Sequence, residues 1–199
     1  MTSVLRAIAL FSLMLLVAAC GTKPAVWAPD DAVQAARHRH PGPTEIMLFN
    51  VINNESGSGE HAALMINASQ RVLFDPAGTW THPRAPERHD VHFGFDDQQL
   101  FRYTYYHARR THHVLRQRLQ VSPEAAETIF QLAQRAGPVP DAQCASSIAN
   151  ILRQVPGFEA IPSTMFPNRL SAAFAQLPGV TEERIYSDAE PTARQQYTQ

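Results

Sequence analysis

Cysteine is scarce in this chain: 199 residues carry two, Cys20 and Cys144, so at most one disulfide can form and a multiply bridged scaffold is excluded. Neither sign of charge is in excess. Seventeen Lys and Arg stand against eighteen Asp and Glu, a formal net charge of −1, which gives no electrostatic case for nucleic acid as a partner. Internal repeats and low-complexity tracts are also missing, which excludes solenoids and arrays. What the chain does hold is nine histidines and fifteen prolines. The prolines fall in connections, as expected of a compact fold with many short loops.

Arg6 is the only early charge, Ala7 to Val17 is uncharged, and Val17-Ala18-Ala19-Cys20-Gly21 closes the run with small residues. That order is a secretory signal, and the apolar run is too short for a comfortable membrane span. The cysteine at its end resembles a bacterial lipobox, which implies cleavage before Cys20 and lipidation of that residue. Residues 1–19 are then a signal peptide. Residues 20–43, with four prolines around a short helix from Asp30 to Arg37, read as a lipidated tether in which His38 and His40 are solvated. In the lipoproteins this resembles, glycine after the cysteine favours the outer membrane. The expected location is therefore the cell envelope, with the chain anchored through lipid and facing the periplasm. Lipidation would leave Cys144 a single thiol in an oxidising compartment. Burial is one reason for such a thiol, catalysis is another, and a Cys20–Cys144 disulfide is a third if Cys20 carries no lipid.

About 180 residues remain after the signal, enough for one domain with a real core. We place it at 44–186 and read 187–199 as a polar, disordered tail. Thr44–Asn53 is a dense apolar run of strand length, followed by a Gly/Ser turn. Glu60–Asn67 and Arg71–Asp75 form a hairpin. A three-residue loop would set Asp75 opposite Ala63, on the face of His61; a two-residue loop would send it to the other face. Thr79–Asp97, with His82, His89 and His92, reads as a mobile surface loop, since no carboxylate or cysteine cluster joins the histidines to make a metal site. Leu100–Tyr106 and Val114–Val121 read as strands joined by a basic turn. Ser122–Ala136 is a helix with Ser122 as cap and Pro123 at its first position, and Pro167–Leu177 is another. The fold class that results is α+β, an antiparallel sheet packed against helices.

The stretch Asp141 to Leu152 organises the rest. Two prolines precede it, Asp141 can cap it, and Ile148, Ile151, Leu152 and Val155 recur at helical spacing. Cys144 falls in its first turn, where unpaired amides and the positive end of the dipole favour a thiolate.

A histidine opening a strand, a polar residue on the next strand, a helix led by Val121-Ser122-Pro123-Glu124 and a cysteine opening an apolar helix form an ordered set. It resembles the circularly permuted branch of the papain-like amidase superfamily, which contains lecithin:retinol acyltransferase-like proteins and relatives of bacterial cell-wall endopeptidases. The resemblance covers roughly 44–177, and it implies Cys144 as nucleophile, His61 as general base and Asp75 as the residue orienting the imidazole. The chain departs from the pattern in Gln143, where relatives often have asparagine, and in a third position that is not a histidine. The residues themselves spell a Cys-His-polar site. The amide of Cys144, helped by Gln143, would stabilise an oxyanion. The expected activity is thiol-dependent hydrolysis or acyl transfer at an amide or ester, with no metal or organic cofactor, on a peptidoglycan peptide or an acyl lipid. The alternative is a non-catalytic envelope lipoprotein that binds such ligands on the same scaffold.

Overall fold

The computed structural model describes residues 26–199. The expected signal peptide, Cys20 and the first part of the expected tether lie outside the described residues. Seven strands form one sheet: β1 (Glu45–Asn53), β2 (Gly59–Asn67), β3 (Arg71–Phe74), β4 (Glu87–Arg88), β5 (Val91–His92), β6 (His112–Gln120) and β7 (Thr181–Ile185). Their order is β4-β5-β3-β2-β1-β6-β7 and every pairing is antiparallel. The helices are α1 (Asp30–Ala36), α2 (Asp97–His107), α3 (Pro123–Arg135), α4 (Cys144–Leu152) and α5 (Pro167–Phe174), with a 3-10 turn at Pro191–Tyr197. The α+β class read from the sequence is the observed one.

The apolar runs of β1 and β2 are continuous because both faces of the sheet are covered. Ile46 and Leu48 of β1 join Leu64, Ile66, Val72 and Phe74 under α3, α4 and α5. The alternate residues Met47, Phe49 and Val51 join Ala63, Met65 and Leu73 under α2 and Trp80. Helix α3 begins where expected: Ser122 accepts from the amide of Ala125 at 3.1 Å and Pro123 follows it. In α4, Ile148 and Leu152 are fully buried against the sheet, each worth about 1.5–3 kcal/mol relative to exposure.

Four expectations are corrected. Leu100–Tyr106 is not a strand but the middle of α2, capped by Asp96, whose carboxylate accepts from the amide of Gln99 at 2.8 Å. The aromatic run suggested β structure, but burial at Gln99, Tyr103, Tyr106 and His107 follows the helical period. Residues 79–97 are held in place: Trp80, Phe93 and Phe95 are buried, and a tight turn at His89-Asp90, both with positive φ, joins β4 to β5. Of the supposed tether, residues 26–43 pack on the domain, with Val33 buried and Arg88 stacked 4.7 Å from the Trp27 ring. His38 is partly buried there, and burial holds its pKa down. The tail at 187–199 is docked on α2: Trp80 donates to the Tyr197 carbonyl at 3.1 Å and Arg102 to that of Gln199 at 3.0 Å. Main-chain carbonyls make these contacts, so the polar side chains of the tail gave no sign of them.

Candidate active site

The hairpin loop is Ala68-Ser69-Gln70, three residues, and the pairing runs from Asn67↔Arg71 to Leu64↔Phe74. Continued by one step, that register sets Asp75 opposite Ala63, on the face of His61. The two side chains meet, Nε2 of His61 lying 2.6 Å from Oδ1 of Asp75. β3 stops there because Pro76 has no amide to give and Ala77 takes a positive φ of 58°. The Asp75 main chain is held by the Asp90 carbonyl, 2.8 Å from its amide, and by the Gly78 amide, 2.9 Å from its carbonyl. Gly78 packs so closely on the carboxylate that a Cβ there would stand 1.8 Å from Oδ2. From α2, the hydroxyl of Tyr103 donates to the same Oδ1 at 2.7 Å. Asp75 and Tyr103 are both fully buried.

Cys144 is the first residue of α4. The residue before the helix is Gln143, not Asp141, and its side chain makes no capping bond. Ala142 reaches that start through a positive φ of 63°. The sulfur lies within the influence of the His61 ring and of the amides of Ala62 and Ala145, which favour its charged form. With Nε2 of His61 taken by Asp75, Nδ1 is the ring nitrogen left for the sulfur. The Ala62 amide is open to it because β3 has ended and no longer pairs with this part of β2. Helix geometry also leaves the Cys144 amide with no acceptor of its own inside α4.

The electrostatics of the three groups are mutually consistent. Burial disfavours every charge here, yet the partners outweigh it. Burial pulls His61 down, but the Asp75 carboxylate and the Cys144 sulfur raise it to about 10. Burial pushes Asp75 up, but the imidazolium holds it at about 2. Burial likewise raises the Cys144 thiol, and the His61 ring and two amides carry it below its ordinary value. All three shifts run toward a thiolate–imidazolium pair backed by a carboxylate.

A cavity of about 200 Å³ opens beside His61. His107 of α2 forms part of its wall, stacked on His61 with ring centroids 5.5 Å apart. Burial and the neighbouring imidazolium hold His107 neutral, with a pKa of about 3. Cys144 is 5 % exposed and is not on that wall, so of the pair only His61 opens onto the cavity. Gln143, directly before the helix start, is exposed.

Sequence reasoning missed Tyr103 and His107. Their spacing of four, with Asp96 ahead of the run as a cap, was the available signal. Among the described residues no three His, Cys, Asp or Glu side chains gather as a metal site, and no helix is long and apolar enough to cross a membrane. Comparison with protein-family models, with curated proteins and with solved structures gives no match to this chain.

Proposed function

We propose that the chain is a cysteine hydrolase or acyltransferase of the permuted papain-like type, carried as a lipoprotein on Cys20 in the cell envelope. The observation that supports it is the shared imidazole: one ring of His61 bridges a buried carboxylate and a sulfur at a helix start. A structural cysteine has no use for that partner. In the reaction, the Cys144 thiolate attacks a carbonyl carbon and forms the C–S bond. The oxyanion is received by the Cys144 amide and by Gln143. The C–N or C–O bond breaks as His61 gives its proton to the departing nitrogen or oxygen. The acyl-thioester is then attacked by water or by an acceptor amine or alcohol, His61 taking the proton and the thiolate leaving. Asp75 stays ionised throughout and orients the ring. Neither half of this cycle calls for a cofactor.

The low exposure of the sulfur favours a second reading, a binding lipoprotein on the same scaffold with an idle site. Iodoacetamide labelling of the intact protein separates the two. In an enzyme, Cys144 alkylation persists well below the ordinary thiol pKa of about 8.5, and His61→Ala moves the profile upward. Hydrolysis of amide or ester substrates should fall at least about 10³-fold in the same variant. A labelling profile near pH 8.5 that ignores His61→Ala would sink the catalytic reading and leave the binder.

A further inference from the structure

The cavity beside His61 is too small for a whole ligand, about 200 Å³ against roughly 300–1,000 Å³ for sites that enclose one. It suits one residue-sized group next to the scissile bond. Arg109 and Arg194 stand on its wall. Arg194 lies over the ring of Tyr106, 5.6 Å from the centroid. Arg109 is fixed by donating to the carbonyls of Tyr106 and His107 at 3.3 and 3.0 Å. Neither guanidinium makes an ion pair among the described residues. The one acid on the wall, Glu60, is committed to His112 at 2.6 Å and to Asn53 at 3.0 Å.

Two cations that face one cavity without a counter-ion repel each other, and Arg109 registers this: burial and then the charge of Arg194 lower its pKa. A second observation points the same way. Nε2 of His107, a side chain over nine-tenths buried, has no hydrogen-bond partner. The wall is therefore polar and short of partners at three neighbouring side chains. His107 is neutral, so it adds no third positive charge to the wall.

We infer that this cavity is a subsite for a carboxylate of the substrate, held by Arg109 and Arg194 beside the His107 ring. The substrate is then an acidic amide: a peptide or acyl-amino acid whose carboxylate lies about one residue from the scissile bond. This rests on the cysteine-hydrolase reading for its position relative to the reacting atoms. An acyl chain fits the cavity poorly, because Val51 and Ala77 are the only aliphatic side chains on its wall. Guanidinium pairs bind carboxylates through charge-assisted hydrogen bonds, and arginine is suited to that geometry.

The test is a binding titration on Cys144→Ser protein, which has no thiol chemistry, followed by NMR on the histidine ring signals. The probes are N-acetyl-L-glutamate, its uncharged counterpart N-acetyl-L-glutamine, and inorganic phosphate. The acid should bind at least about tenfold tighter than the amide, shift the His107 signals, and lose that preference in Arg194→Gln. Arg194 is exposed, so that variant should fold. Arg109→Lys, which keeps the charge and loses the planar fork, should lose part of it. Equal affinity for acid and amide, or a preference that survives Arg194→Gln, overturns the subsite. Phosphate binding tighter than the glutamate overturns the carboxylate assignment in favour of a phosphate-bearing substrate. Failure of the labelling test above with success here would leave a binder of acidic ligands.

Discussion

On the face covered by α3, α4 and α5, Cys144 is positioned by apolar packing: Ala145, Ile148 and Leu152 lock the helix to β2, and the sulfur arrives at the sheet margin as a result. On the face covered by α2, His61 is positioned by charge: Asp75 holds its ring at 2.6 Å, and Tyr103 donates to that carboxylate at 2.7 Å among buried aromatics. The sulfur is thus placed by shape and the imidazole by satisfied polarity. Packing tolerates small losses by relaxing, whereas a buried charge loses its whole compensation when one partner goes. The two halves of the site should therefore fail in different ways.

Asp75→Asn tests the charged half most severely. It leaves the His61 imidazolium without its counter-ion in a buried setting, so we expect about 3–5 kcal/mol of destabilisation in urea titrations. Cys144 alkylation should also move to higher pH. A change under about 1 kcal/mol, with an unmoved alkylation profile, would mean that the carboxylate does not hold the ring. Ile148→Ala tests the packed half. Chemical denaturation should report a loss of about 2–5 kcal/mol from the cavity left behind, while the pH profile of the remaining folded protein stays where it was. If that profile moves with it, the two halves are not separable.

Tyr103→Phe is milder, since it removes one hydrogen bond to a carboxylate that keeps another. About 1–3 kcal/mol of stability should be lost, together with a small upward shift in the alkylation profile. An unchanged protein would remove Tyr103 from the site.

The smallest effect concerns Asp90, which ties the β4–β5 turn to the Val139 amide at 2.7 Å in the approach to α4. Burial raises its pKa to about 6 from 3.8. The folded state therefore binds a proton more readily than the unfolded one between those values, and this group alone makes stability rise as pH falls from about 6 toward 3.8. Asp75 and His61 do not share that window: the Asp75 contribution is lost only as pH falls through about 2, the His61 contribution only as pH rises through about 10. Thermal melts across this range should show the slope, and Asp90→Asn should flatten it. A slope unaltered by the variant would place the titration elsewhere.

The packed half was readable from residues alone because its signals are local. Ser122-Pro123 marks a helix start whatever lies around it, and Ile148, Ile151 and Leu152 repeat at helical spacing wherever they are buried. The hairpin could be narrowed to two registers, and only the chemistry expected of His61 favours one over the other. The charged half was less accessible. Tyr103 and His107 belong to a segment whose aromatic residues favour strands, and its helical character came from one cap and from burial against β1 and β2. The docked tail, which brings Arg194 to the cavity, depends on main-chain carbonyls that every residue carries alike. Asp90 matters through one long-range bond to Val139, and nothing in its neighbourhood of sequence announces it.

The three site residues are also unequal in how far apart the chain sets them. His61 and Asp75 are 14 residues apart, within one hairpin, while the stretch of chain from His61 to Cys144 is about six times longer and costs about 1.5 kcal/mol more in loop closure. Hairpin contacts are also the faster kind to form. The histidine therefore has its carboxylate before the thiol reaches it, and the order of assembly gives the sulfur a finished partner to meet. A free thiol is open to oxidation until it is buried, and for Cys144 burial comes with a single event, the docking of α4 on β2.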